Sequence, residues 1–216
     1  MSITVLLADD HRVFLDGLRL LLETKSDIKV IGEALNGREA MQKAQELKPD
    51  LVIMDIAMPE LNGIEAARQI CNLSPSIRVI ILTMHATVEH AMQAIKAGAR
   101  GYVLKESTGT ELMDAVRAVM AGRRYMSPQI SDMLFDYVEH PDDRAVEDPL
   151  ARLSAREREI LPLVAEGRSS AEIAKILYLS PKTVDSYRSL LMKKLGIKNL
   201  PDLIKFAVKK GLTSLE

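Results

Sequence analysis

Asp9, Asp10, Asp55, Thr83 and Lys105 are the side chains whose types together suit the handling of a phosphoryl group. The plainest setting is Leu51-Val-Ile-Met-Asp-Ile-Ala-Met-Pro59, where an apolar run stops at Asp55. Met58-Pro59 and Asn62-Gly63 then read as turns carrying the chain out into solvent. A carboxylate at the mouth of a buried strand is costly unless something there uses it. Three carboxylates in one small site repel and raise each other's pKa unless a cation neutralises them. Oxygen ligands with solvent access suit Mg²⁺, which keeps waters and shares its shell with a phosphate. Lys105 offers a point charge for a phosphoryl group, and the Thr83 hydroxyl can hydrogen-bond one of its oxygens. An aspartate so flanked can accept a phosphoryl group as an aspartyl phosphate. The same residue types would also suit a phosphatase that turns such an adduct over.

These residues gather only if the elements before them lie side by side. From residue 3 to about 122, five apolar runs alternate with amphipathic stretches: Val5–Ala8, Val30–Ala34, Leu51–Met54, Val79–Leu82 and Tyr102–Leu104. Phe14, Leu18, Leu21 and Leu22 share one helix face. Gly98 and Gly122 stand where left-handed helix stops are expected, and Thr108-x-x-Glu111 reads as a capping box. Strands alternating with helices predict a doubly wound, five-stranded parallel sheet. In the flavodoxin-like order 2-1-3-4-5 the first and third strands are neighbours, and their C-terminal ends form the ligand edge. Asp9 and Asp10 end the first strand, Asp55 the third, Thr83 the fourth and Lys105 the fifth.

The remainder of the chain differs in charge and pattern. Residues 150–216 hold 13 basic and 7 acidic side chains, a net of +6, which leaves 16 basic and 23 acidic in the rest, a net of −7. Opposite signs predict domains with different partners, the basic one suited to nucleic acid. A single cysteine, Cys71, excludes a disulfide framework and reads as packed on a helix. No apolar run approaches the ~20 residues of a membrane helix, and the start lacks signal-peptide features, so a cytoplasmic location is expected. Met126–Val138 reads as a helix opened by Ser127-Pro128. His140–Pro149 is acidic and proline-bounded, as an exposed linker is.

From residue 150 the pattern is all helical. Ser154-x-x-Glu157 and Ser169-x-x-Glu172 read as capping boxes, and Gly167 as a helix stop. Ser169–Leu179 and Pro181–Leu195 predict a helix-turn-helix within a small all-α domain, with a further helix near Pro201–Gly211. On the third helix Val184, Tyr187, Leu191 and Leu195 fall on a core side. Lys182, Asp185, Ser186, Ser189 and Lys193 fall opposite, with Arg188 and Lys194 on the flanks. A face of small polar and basic residues can enter the major groove and bond bases and phosphates. A protein or RNA partner for these helices is the rival reading.

Asp9-Asp10, Asp55 with Met58-Pro59, Thr83 and Lys105 resemble the receiver domain of two-component response regulators. Leu153-Ser-Ala-Arg-Glu-Arg-Glu-Ile-Leu, Glu166-Gly, Glu172-Ile-Ala, Ser180-Pro-Lys-Thr-Val-Asp-Ser-Tyr-Arg and Lys194-Leu-Gly resemble the LuxR-type DNA-binding domain. The pair is the arrangement of NarL/FixJ-like regulators. The resemblance implies that a sensor histidine kinase phosphorylates Asp55. It implies that Asp10, Asp55 and the backbone carbonyl of Ala57 hold Mg²⁺, with Asp9 acting partly through water, and that Thr83 and Tyr102 report the event. It further implies a transcription regulator, with no catalysis beyond its own phosphorylation and slow dephosphorylation. Such a regulator binds duplex DNA through Lys182, Thr183, Asp185, Ser186, Arg188, Ser189, Lys193 and Lys194, and forms a homodimer when phosphorylated or on DNA. The domains expected are 1–122, a partly helical linker 123–149, and 150–216. Glu106 follows Lys105 where many receivers have proline.

Overall fold

Continuous apolar runs flanked by amphipathic helices leave a strand both faces to bury, and a parallel sheet between helix layers satisfies that demand. The computed structural model describes residues 2–139, 149–210 and 212–213. Strands β1 (Ile3–Ala8), β2 (Ile28–Ala34), β3 (Leu51–Met54), β4 (Arg78–Thr83) and β5 (Gly101–Leu104) alternate with helices α1 (Arg12–Glu23), α2 (Gly37–Leu47), α3 (Gly63–Leu73), α4 (Val88–Ala97) and α5 (Gly109–Met120). All strands pair in parallel in the order 2-1-3-4-5, as expected, and a two-residue strand β6 (Tyr125–Met126) extends the sheet beside β5. Helices α2, α3 and α4 bury one face of the sheet, and α1 and α5 the other.

The stretch after α5 differs in detail from the sequence reading. Met126 belongs to β6, and helix α6 runs Pro128–Glu139, burying Ile130 against the α4 side of the core. Ser127 is buried, its hydroxyl donating to Glu111 at 2.6 Å. Thr108 caps α5 by accepting from the Glu111 amide. The expected reciprocal capping box is therefore half-made, because the Glu111 carboxylate is used by Ser127 instead. The linker expected over His140–Pro149 lies, apart from Pro149, outside the described residues.

After a short turn of tight helix at Pro149–Arg152 come α7 (Ala155–Ala165), α8 (Ser170–Leu177), α9 (Pro181–Leu195) and α10 (Leu200–Lys209). Both serine capping boxes are complete, and Gly167 and Gly196 take the left-handed stops. Ile160, Leu163, Val184, Leu191 and Leu203 form a core separate from the sheet.

The helical domain rests against the α3–α4 side of the sheet domain, and polar bonds cross the contact. Arg158 Nε lies 3.1 Å from Glu65 Oε2, and Gln69 donates to Glu159 at 2.9 Å. The Glu60 amide donates to Glu166 at 3.3 Å. His90 on α4 lies 2.5 Å from the carbonyl of Lys210, whose ammonium lies 2.6 Å from Glu89. Among the described residues no helix is long and apolar enough to cross a membrane.

Candidate functional site

The pairing of β1 with β3 sets Ala8 opposite Met54, so Asp9 and Asp55 leave the sheet side by side. Both are almost wholly buried. Lys105, just past β5, lies 2.6 Å from Asp9 Oδ2 and 2.9 Å from Asp55 Oδ2. Its ammonium also stands 4.6 Å from the centre of the Phe14 ring, a favourable cation–π position. Burial alone would lower the Lys105 pKa, but the charges and hydrogen bonds of Asp55 and Asp9 outweigh it and the pKa is raised. Asp10 is pushed up by burial, with Asp9 and Asp55 adding to the shift and His11 opposing it. Asp10 in turn raises the His11 pKa.

The donor set fits a hard divalent cation. One ligand atom each from Asp9, Asp10 and His11 falls within a 4.8 Å cluster. Asp10 Oδ1 is buried and accepts no hydrogen bond, since His11 Nδ1 at 2.8 Å lies off the direction a bond would need. An orphaned carboxylate oxygen in an oxygen-rich pocket is what Mg²⁺ would satisfy. Asp9, by contrast, accepts from the His11 amide at 3.0 Å as well as from Lys105.

The loop after Asp55 is packed rather than thrown into solvent, which corrects the sequence expectation. Ile56, Met58 and Leu61 are buried, and Asp55 Oδ1 accepts from the Ile56 amide at 2.7 Å. Asn62-Gly63 is a helix start: the Asn62 side chain caps α3 by accepting from Glu65. A Cβ on Gly63 would fall 1.8 Å from the Asp55 carbonyl oxygen, so only glycine allows α3 to abut the Asp55 backbone. Ala57 lies in this loop, and Glu60 takes a left-handed φ of 66°. Thr83 is buried at the end of β4 and accepts from the His85 amide at 3.3 Å. Tyr102 is buried too, and its hydroxyl donates to the His85 carbonyl at 2.6 Å. Met84 is largely exposed, and Cys71 is half-buried on α3 with its thiol pushed up by burial. Among the described residues every peptide bond is trans, including Lys105–Glu106.

On α9 the sorting of faces holds. Val184 and Leu191 are buried, Tyr187 and Leu195 half-buried, and Lys182, Asp185, Ser186, Ser189 and Lys193 exposed. Several of these groups have local partners. Ser186 and Ser189 donate back to the carbonyls of Lys182 and Asp185, Thr183 pairs with Ser180, and Asp185 accepts from Ser170 on α8. Lys194 is drawn away from the exposed face by an ion pair to Glu157 at 2.7 Å.

Two family models match the chain: the response regulator receiver domain over residues 5–117, and the bacterial regulatory proteins of the luxR family over residues 151–207. The chain is a LuxR-type response regulator. It is similar to the oxygen regulatory protein NreC of Staphylococcus haemolyticus, 38% identical over 96% of this chain and 98% of the relative. Among solved structures, RcsB of Salmonella typhimurium matches with a TM-score of 0.66 and 30% identity, covering 96% of this chain and 98% of that one. The response regulator ChrA of a heme-sensing two-component system matches at 0.54 and 36%, covering 98% of each. The sequence of this response regulator carries only weak signals for the roles of several residues around the site. His11 was signalled only by following two aspartates, Phe14 by falling one turn into α1, and Gly63 by a turn dipeptide that is in fact a helix start. His90 on α4 carried no local signal.

Proposed function

We propose that Asp55 accepts a phosphoryl group from a phosphohistidine of a sensor histidine kinase, and that this controls duplex DNA binding by residues 150–216. The observation that carries the reading is Lys105, whose ammonium joins Asp9 to Asp55 beside the orphaned Asp10 oxygen. A carboxylate oxygen of Asp55 forms the new bond to phosphorus as the bond to the donor nitrogen breaks, leaving an aspartyl phosphate. Lys105 is placed to exchange its Asp55 contact for a phosphoryl oxygen, and Thr83 offers a hydroxyl to another. Asp9, Asp10, Asp55 and the Ala57 carbonyl would hold Mg²⁺, which supplies charge neutralisation for the transferred group. The protein is thus a phosphoacceptor and not an enzyme of external turnover.

Residues 1–122 form the receiver, 123–149 the connection and 150–216 the DNA-binding domain. Lys182, Thr183, Asp185, Ser186, Arg188, Ser189 and Lys193 line the DNA-facing side of α9, with Lys194 contributing at its edge. An apolar groove of about 620 Å³ lined by Val13, Phe14, Leu18, Leu21, Met84 and Leu112 opens beside Lys105. Exposed apolar surface of that kind suits a protein partner, the kinase or a second copy. The location is cytoplasmic, where the kinase's phosphohistidine and the DNA are both present.

Acetyl phosphate with Mg²⁺ should leave one stoichiometric adduct, absent in Asp55→Asn. Rapid multiple turnover of an external phosphoester would overturn the reading. Binding of duplex DNA should weaken steeply with salt, and Lys182→Ala or Lys193→Ala should each lower the log–log slope by about 1. No duplex binding at low salt would assign the helices to a protein or RNA partner instead.

A further inference from the structure

The acidic pocket and the helical domain are joined by a continuous series of contacts. Thr83 accepts from the His85 amide, and Tyr102 donates to the His85 carbonyl, so both neighbours of the pocket hold one residue of the β4–α4 loop. The His85 ring lies 4.9 Å from the His90 ring. His90 is buried, and its Nε2 lies 2.5 Å from the Lys210 carbonyl at the end of α10. A carbonyl only accepts, so Nε2 carries the proton. Nδ1 is then the acceptor, 2.8 Å from the Thr87 hydroxyl. Both ring nitrogens are satisfied by one tautomer, and that tautomer is the one that grips the second domain.

We propose that His90 is an interdomain latch, holding the Lys210 carbonyl until rearrangement of Thr83 and His85 releases it. The trigger rests on Asp55 phosphorylation as proposed above; the latch itself rests on the contacts alone. When Thr83 turns its hydroxyl to a phosphoryl oxygen it gives up the His85 amide, and the loop that packs against the His90 ring is free to shift. A bond of fixed direction is then lost at the end of α10, and the remaining contacts, such as Arg158 with Glu65 and Gln69 with Glu159, hold the domain less firmly. The recognition face of α9 is exposed while the domain is docked, so docking does not act by covering that face. What the latch restricts is the placement of α9 and α10 relative to the receiver, and hence the pairing of two copies on DNA.

The Glu60 amide reports the docked state, because its partner is Glu166 of the helical domain. Hydrogen exchange on the full chain follows its opening, with the Asp55 amide, bonded within the sheet to Ala8, as an internal control. His90→Leu removes the donor, whereas His90→Gln keeps one near the Nε2 position. The expected result is Glu60 exchange about fivefold faster in His90→Leu, the effect of one neutral hydrogen bond. His90→Gln should stay close to the parent, with the control amide unchanged in both. Acetyl phosphate with Mg²⁺ should speed Glu60 exchange in the parent and add little in His90→Leu. Unchanged Glu60 exchange in a folded His90→Leu, or equal acceleration in both variants, overturns the latch. A stoichiometric adduct with no change in Glu60 exchange overturns the trigger alone. Absence of any adduct overturns the proposed function and the trigger with it, while the paired variants still decide the latch.

Discussion

At the scale of single residues, the pocket is held by one cation that balances too many carboxylates. Lys105 covers Asp9 and Asp55, which leaves Asp10 with a buried oxygen that nothing bonds. The Asp10 pKa is raised above 3.8 by burial first, then by Asp9 and Asp55. A carboxyl whose folded pKa is raised takes up its proton more readily in the native state, so its ionisation at neutral pH works against folding. Asp10→Asn should therefore stabilise the metal-free protein at pH 7, and the advantage should shrink as the pH falls through the raised pKa. In Mg²⁺ the order should reverse, the parent gaining stability if Asp10 helps to bind the ion and the variant gaining none. Urea melts with and without Mg²⁺ check both signs, and equal Mg²⁺ gains in parent and variant would remove Asp10 from the ion's ligands. The aspartates were legible in the sequence because a charge ending an apolar run is conspicuous. His11 and Phe14 were not, since nothing in their neighbourhood says that one turns back on the pair and the other underlies the lysine.

At the scale of elements, close approaches decide what may be substituted. Gly63→Ala would drive a methyl into the Asp55 carbonyl, and α3 would have to back away from the strand end. The expected loss is roughly 1–3 kcal/mol in urea melts, with slower adduct formation at Asp55 because its backbone shifts too. In the helical domain, Glu157 is buried and binds both Lys194 and the Ser154 amide. Burial pushes its pKa up, but those bonds prevail and it is lowered below 4.5. A depressed carboxyl contributes stability above its unfolded pKa and loses it as the pH falls through the folded one. Lys194 is 39% exposed, so solvent screens the pair, and Lys194→Ala should cost about 1 kcal/mol at pH 7. The difference from the parent should fade below pH 4.5 in melts of residues 150–216 within the full chain. Strand positions, helix caps and the faces of α9 were readable because period and capping residues are local. The double use of Glu111 was not, because Ser127 reaches it from a strand end sixteen residues on.

At the scale of the whole molecule, the charge asymmetry announced two domains, but the side on which they meet depends on side chains far apart in sequence, such as Glu65 with Arg158. The His90 contact gives that meeting a pH dependence. Burial lowers the His90 pKa from 6.5, the Lys210 carbonyl and Glu89 act to raise it, and His85 and the Lys210 ammonium act to lower it further. Undocking exposes the ring and returns it toward 6.5, so the open form binds more protons than the docked one. The docked form is accordingly favoured above that value and loses ground as the pH falls below it. Glu89 pairs with the Lys210 ammonium. The His85 ring stands 4.9 Å from the His90 ring, and His90→Gln removes the His90 titration while leaving His85 in place. Glu60 amide exchange, corrected for its intrinsic pH dependence, should rise between pH 7.5 and 5.5 by roughly tenfold at most, because the open ring takes up its extra proton only below 6.5, one decade above the lower limit. In His90→Gln the corrected rate should be flat over the same range. A parent that is equally flat would mean that the ring keeps its proton count on undocking, and a variant that still slopes would take the role away from His90.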